Sequence, residues 1–555
     1  MLPSTPRLIA DAHVETLADL DPSTGLALGI RPGVSALPDY SPAGQEEIAE
    51  ARRATLRDLT AAEAAADDGL PAVERRAARL LRERLTTELD NHEAGEGLRQ
   101  VRNLFSPFFH LRGMLIQAPK ETPDDWAVIA GQLRNTPRAL AGYTESLTVG
   151  VERGLLAAPR QVRTLAEQLR ELLAADWYTT LVAGGPAELR AELDEAARQA
   201  SAAVAELRRY LTDSYLPAAA HTPDGVGRDR YLLGARAWNG AHLDLDEAYA
   251  YGWAEYRRLT AEMRAAAAEV LPGETTLATM RHLEEHGTAI EGEEAVRNWL
   301  QELMDRAIDA LDGVHFDLAE PVRRVEAMIA PPGSAAAPYY TRPSMDFSRP
   351  GRTWLPTRGA TRFPTWQLVS IWYHEGVPGH HLQFAQWVHV ADRLSTYQAS
   401  LGSVSAMTEG WALYAERLMD ELGYLTEPAE RLGYLSAQMM RSVRVIIDIG
   451  LHLGLRVPAG EDFHPGERWT PELATAFFRQ STGFDQSFTD SEIVRYLGMP
   501  GQAVSYKLGE RAWLAGRDAA RRRAGATFDA RAWHMAALSL GSLGLDDLTG
   551  ELGQL

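Results

Sequence analysis

The 555-residue chain contains no cysteine. That excludes disulfides, thiolate metal sites and a cysteine nucleophile. Basic residues are also scarce: 56 Lys and Arg stand against 76 Asp and Glu, a net charge of −20. A surface of that sign argues against binding the phosphate backbone of a nucleic acid. No stretch approaches the roughly 18 consecutive apolar residues of a spanning helix. Met1 to Asp21 lacks the basic start and unbroken apolar region of a secretory signal. The expectation is a cytoplasmic protein with no membrane or nucleic-acid partner. Low-complexity linkers and clean repeats are missing as well, so the chain reads as one integrated body. Its 45% hydrophobic and 24% charged residues are ordinary for a globular protein with an ample core.

What is present is mostly helix. From Ser41 to about Ala219, good helix formers dominate, with apolar residues three and four apart. Ala72–Glu88, Pro159–Ala175 and Pro186–Leu211 are examples. Asp224 to Arg236 is Gly-rich and reads as a loop or short hairpin. Helices resume over Asp244–Glu269 and Gly292–Leu311. The character changes between Val322 and Thr357. Val322–Ile329 reads as a strand, Pro331-Pro332-Gly333-Ser334 as a turn, and Arg352–Pro356 as a second short strand. Tyr339 and Tyr340 between them read as core aromatics or as a border of a binding site.

The chain is organised around Trp372-Tyr373-His374-Glu375-Gly376-Val377-Pro378-Gly379-His380-His381-Leu382-Gln383. Buried polar side chains cost free energy unless something satisfies them, and a divalent metal would. The familiar zinc helix, H-E-x-x-H, places two His four apart on one face with Glu as general base. Here position i+4 from His374 is Pro378. On a regular helix, His380 at i+6 points about 120° away, and His381 at i+7 lies about 10 Å along the axis. Neither could share a metal with His374 unless the helix breaks between them. Pro378 and Gly379 supply that break. The expected ligands are His374 and His380, with His381 as the fallback for the second. The bland alternative is a kinked core helix with satisfied histidines.

A third ligand is expected on a neighbouring helix. Thr408-Glu409-Gly410-Trp411-Ala412-Leu413-Tyr414-Ala415-Glu416 fits, with Thr408 as N-cap and Glu409 as ligand. Glu416, two turns on, shares its face and could orient a ligand. Otherwise Glu409 is a first-turn carboxylate facing the helix dipole. On the long helix Glu430–Leu453, Arg444, Asp448 and His452 are four apart and form a polar stripe. That stripe reads as a buried ion-pair network, or as a substrate-binding wall behind the metal. Further on, a Pro500-Gly501 turn aims a helix that carries Tyr506.

The His374-Glu375 helix and the downstream Glu409 resemble those of the gluzincin metallopeptidases, which include angiotensin-converting enzyme, thimet-type oligopeptidases and thermostable carboxypeptidases; HEGVPGHHLQ, TEGWALYAE and PGQAVSYKLG are the narrower signal. More narrowly they resemble a bacterial family catalogued as domain of unknown function 885, whose pattern is HExxPGHHLQ, EGWALYxE and PGQAxxYxxG. The resemblance implies a mainly α, two-lobed zincin-like body with a deep central cleft and a small β-sheet beside the metal helix. The lobes would be residues 1–320 and 321–555. It implies one Zn2+ per chain, Glu375 as general base, and Tyr506 or Arg495 steadying an oxyanion. The expected function is a zinc metallopeptidase for short peptides, of carboxypeptidase, dipeptidase or oligopeptidase type. An amidase of a small metabolite on the same scaffold, or an inactive binding protein, are the alternatives.

Overall fold

The computed structural model describes residues 5–66, 69–331 and 337–555. Pro332, Gly333 and Ser334 of the expected turn lie outside them. The architecture is mainly helical, with one two-stranded and one three-stranded sheet among the described residues. None of the described helices is long and apolar enough to cross a membrane.

The chain divides into two compact units. The first is Met1–Leu233 with Ser491–Met499, and the second is Gly234–Asp490 with Pro500–Leu555. The expected boundary near residue 320 falls inside the second unit. The reason is packing: the Leu245–Val270 helix lies against Pro428–Leu453, where Ser442 Oγ donates to the Gly252 carbonyl at 3.0 Å.

The first unit is built on Pro123–Glu152 packed along Arg190–Tyr210. Thr122 and Asp125 close a capping box at the start of the longer helix. Leu133, Leu140 and Leu147 recur every seven residues on its buried side. Leu193, Ala196, Ala200 and Val204 mark the buried stripe of the partner. Helical spacing put these residues on single faces, as the sequence indicates.

Two local expectations are corrected. Gly-rich Asp224–Arg236 is not a loop or hairpin throughout, because Arg228–Asn239 is a helix. Its buried Tyr231, Ala235 and Asn239 are four apart, and that stripe outweighs the glycine content. Thr408 is not an N-cap. The helix starts a turn earlier and spans Ser405–Glu421, and the Thr408 hydroxyl donates back to the Ser405 carbonyl at 3.2 Å.

In the second unit the three-stranded sheet has Gly351–Leu355 at its centre. Val325–Ile329 runs parallel on one side and Tyr339–Thr341 antiparallel on the other, as an edge strand. Ala289–Glu291 pairs separately with Arg362–Pro364, which leads directly into the Thr365–Glu375 helix. Ser405–Glu421 packs on Ser505–Ala524 at a backbone contact between glycines. A Cβ on Gly410 would stand 2.3 Å from the Gly509 carbonyl carbon. Gly410→Ala is therefore expected to lower stability by about 1–3 kcal/mol through overpacking. Chemical denaturation checks it, and an unchanged midpoint would contradict the contact.

Candidate metal centre

The Thr365–Glu375 helix is apolar and buried at Trp366, Val369, Trp372 and Tyr373, so its last turn carries His374 and Glu375 into the interior. The chain leaves the helix at Gly376 and re-enters one at His380, the first residue of His380–His389. The Val377–Pro378 peptide is cis. Gly379 N–H donates to the Tyr373 carbonyl at 3.0 Å, and His381 N–H to the Gly376 carbonyl at 3.1 Å. Trp411 clamps the turn from the facing helix: its indole N–H lies 2.9 Å from the Pro378 carbonyl and 3.0 Å from that of Gly379.

This turn brings His380 to His374, their ring centres 4.7 Å apart and nearly perpendicular. Glu409 joins them from the Ser405–Glu421 helix. Its Oε2 lies 3.5 Å from His374 Nε2 and 3.6 Å from His380 Nε2. One ligand atom from each of the three falls within 4.8 Å of the others. In a tetrahedral site with bonds of about 2.0–2.1 Å, ligand atoms stand about 3.4 Å apart. The donors therefore fit a divalent ion such as zinc, and three of them leave a position open.

The neighbours of the cluster hold it in that pose. His374 Nδ1 is 2.7 Å from Glu416 Oε1, and Ser370 Oγ donates to the other oxygen at 2.7 Å. A carboxylate there accepts a hydrogen bond from Nδ1–H, which keeps the proton on Nδ1 and leaves Nε2 free to act as a ligand atom. Arg441 Nη2 lies 3.6 Å from the same Glu416 oxygen. Burial would lower the His374 pKa, but the Glu409 and Glu416 carboxylates outweigh it and raise it to about 9. Burial would raise Glu409, yet hydrogen bonds from His374 and His380 hold it well below the usual carboxylate range. Glu375 is pushed up, chiefly by burial. The cluster as a whole attracts positive charge.

The centre opens on a cavity of about 640 Å³. Of the residues singled out from the sequence, His374, Glu375, His380, Glu409, Tyr339, Tyr340, Arg444 and Tyr506 line it. Thr408 lines it too, whereas the remaining candidates lie elsewhere. Glu416 stands behind His374. Asp448 accepts from Gly501 N–H at 3.0 Å, with His452 Nε2 3.6 Å from its other oxygen, which is the buried network rather than a cavity wall. Arg495 is held by Glu492 at 2.8 Å, its guanidinium 4.9 Å from the Tyr496 ring centre, and it does not line the cavity.

A family model described as "Bacterial protein of unknown function (DUF885)" matches residues 22–552. The chain belongs to this family. No curated protein sequence matches the chain. A crystal structure of a putative lipoprotein from Colwellia psychrerythraea is similar over 99% of this chain and 98% of that one, with 21% identity and a TM-score of 0.84. A putative lipoprotein of unknown function from Shewanella oneidensis is similar over 100% and 99%, with 17% identity and a TM-score of 0.75. At these identities the likeness concerns the fold alone.

In this DUF885 chain His381 turns away from the cluster. Its Nε2 is 2.7 Å from the Val322 carbonyl, and Nδ1 is 3.0 Å from the Tyr340 hydroxyl. The carbonyl can only accept, so Nε2 carries the proton and the Tyr340 O–H donates to Nδ1. The strand passes so close that a Cβ on Gly351 would meet Tyr340 Oη at 2.3 Å and His381 Nδ1 at 2.5 Å. Burial lowers the His381 pKa from 6.5 to about 4. Between those values the unfolded chain binds a proton that the folded chain refuses. Stability is therefore expected to fall as pH drops from about 6.5 to about 4, by roughly 3 kcal/mol from this residue. Urea midpoints across that range check it: His381→Asn should flatten the slope, and an unaltered slope would contradict the buried neutral state.

Sequence reasoning missed Arg441, Phe384 and Trp411. Phe384 stacks between His380 at 5.8 Å and Tyr340 at 6.0 Å, and its position four after His380 was the available signal. Arg441 is one turn before Arg444 on the same stripe, so it was within reach of the same periodicity.

Proposed function

We propose that this protein is a zinc-dependent hydrolase of amide bonds in short peptides, related in its chemistry to the gluzincins. The observation that carries the reading is the ligand geometry. His374, His380 and Glu409 bring one donor atom each within 4.8 Å of the others, with Glu375 beside them in the wall of a cavity large enough for a short peptide.

His374, His380 and Glu409 would hold a divalent ion, which when bound would supply polarisation of a carbonyl and a water with its pKa lowered towards about 7. Glu375 takes a proton from the attacking water and delivers it to the leaving amine. Tyr506, also on the cavity wall, offers a phenol to the oxyanion, a contribution of roughly 3–4 kcal/mol by comparison with other oxyanion donors. Glu416 and Ser370 keep His374 in the tautomer the reaction needs. Arg495 is not part of this proposal, because its guanidinium is engaged by Glu492.

On location, the sequence favours the cytoplasm, whereas the two structural neighbours are described as putative lipoproteins, which favours the cell envelope.

The reading is tested by incubating zinc-replete protein with a mixture of short peptides and following products by mass spectrometry. Cleavage that stops on chelation and returns with zinc is the expected result. Hydrolysis of small amides with peptides left intact would favour the amidase alternative. No hydrolysis of either with metal bound would contradict both.

A further inference from the structure

Resting on the hydrolase reading, the geometry points to an apolar subsite one helical turn from the metal end of the cavity, formed by Ile371, Ala437, Met440, Phe484 and Phe488. It selects peptides that carry a large apolar side chain at the cleaved bond. Two helices build its floor. On Thr365–Glu375, Ile371 stands one turn before Glu375 on the face that lines the cavity. On Pro428–Leu453, Ala437 and Met440 stand one turn before Arg441 and Arg444, again on the cavity face.

The two helices run side by side in the same direction. At one end Gly433 packs on Trp366, where a Cβ would meet the carbonyl oxygen and come within 3.1 Å of Gln367 Cα. Eight residues later on each helix, Arg441 and His374 reach the same oxygen of Glu416, Arg441 Nη2 at 3.6 Å and His374 Nδ1 at 2.7 Å. Ile371 therefore lies at the level of Ala437 and Met440, and the three share one floor. One turn of helix is about 5.4 Å, less than the roughly 7 Å that two residues of extended peptide span. The side chain that reaches this floor belongs to a residue at the cleaved bond.

The wall above the floor is aromatic. Phe484 and Phe488 line the same cavity with ring centres 4.5 Å apart, and both rest on fully buried Phe478, at 6.1 and 6.4 Å. Asp485 Oδ1 accepts from Phe488 N–H at 2.9 Å and fixes the turn between the two rings. The wall is thus anchored before a ligand arrives, which limits the ordering cost of binding. Ile371, Ala437, Met440, Phe484 and Phe488 are each only half-buried, and an apolar side chain among them would take that surface out of water. Ala437 adds no more than a methyl group to the floor, which leaves width for a large side chain. In the reaction one water adds across the peptide bond: the C–N bond breaks, a C–O bond forms, and the protons of the water end on the new amine.

The test compares N-acetyl-Ala-Ala-Phe-Ala-Ala-amide with the same peptide carrying Ala in place of Phe, on the zinc-loaded full chain. Cleavage at a bond of the Phe residue is expected, with a kcat/KM about 10–100-fold above that of the all-Ala peptide, as for burying one large apolar side chain. Ala437→Met fills the floor and Phe488→Ala removes half the wall, and each should cut the preference to a few-fold. Equal kcat/KM for the two peptides, or cuts only between alanines, would overturn the inference without reference to any variant. A preference kept in full by both variants would overturn it as well. Binding separates this inference from the hydrolase reading. Zinc-loaded Glu375→Gln protein is titrated with both peptides by calorimetry, with and without Ala437→Met. Tighter binding of the Phe peptide, lost in Ala437→Met, with neither peptide cleaved by the wild type, would sink the hydrolase reading and keep the subsite. Equal binding of the two peptides would sink the subsite, whatever is cleaved.

Discussion

Glu375→Gln is expected to reduce hydrolysis by about 10²–10⁴-fold, the range for a lost general base, while the metal content stays that of the wild type. The substitution is nearly isosteric and removes only the capacity to take a proton. Glu375 ends the Thr365–Glu375 helix beside His374, lies outside the His374, His380 and Glu409 donor group, and lines the cavity. Its carboxyl is pushed up chiefly by burial, which keeps it basic enough to accept a proton from water. Steady-state rates with metal analysis on the same samples check the expectation. An unchanged rate would remove Glu375 from the mechanism.

The second large effect separates two adjacent histidines. His380→Ala should abolish metal binding, and His381→Ala should leave it intact. His380 Nε2 lies 3.6 Å from Glu409 Oε2, at the spacing of co-ligands, whereas both nitrogens of His381 are engaged by Val322 and Tyr340. The His381 change should instead lower stability, by about 1–3 kcal/mol for the partners left unpaired. Glu416→Gln falls between: it weakens the proton acceptor at His374 Nδ1, which should lower metal affinity by about 10–100-fold. Isothermal titration with zinc and thermal unfolding of the three variants distinguish the patterns. Metal loss in His381→Ala and retention in His380→Ala would reverse the assignment.

Much of this centre was legible in the sequence because its parts are local. Pro378 and Gly379 forbid a continuous helix, and the chain leaves one helix after Glu375 and starts the next at His380. Glu409 and Glu416, seven apart, share a helix face, and both reach His374. What was not legible depends on the chain's path through space. The choice between His380 and His381 turns on how the Val377–Pro378–Gly379 turn is clamped, and that clamp is Trp411 on another helix. Arg495 does not line the cavity, and a charge in a motif says nothing of its partner: Glu492, three residues earlier, lies 2.8 Å from it. Thr408 carried a capping residue's chemistry, but Val404 and Ser405 already begin the helix. In Arg228–Asn239, glycine content masked a buried stripe that only tertiary packing reveals.

The central claim is that His374, His380 and Glu409 hold one metal ion. Elemental analysis of protein purified under zinc-replete conditions tests it most directly, with His374→Ala and Glu409→Gln as paired samples. The account predicts about one zinc per chain in the wild type, absent from both variants. A wild-type protein without metal, or variants that keep it, would contradict the account and leave the broken helix as a feature of the core.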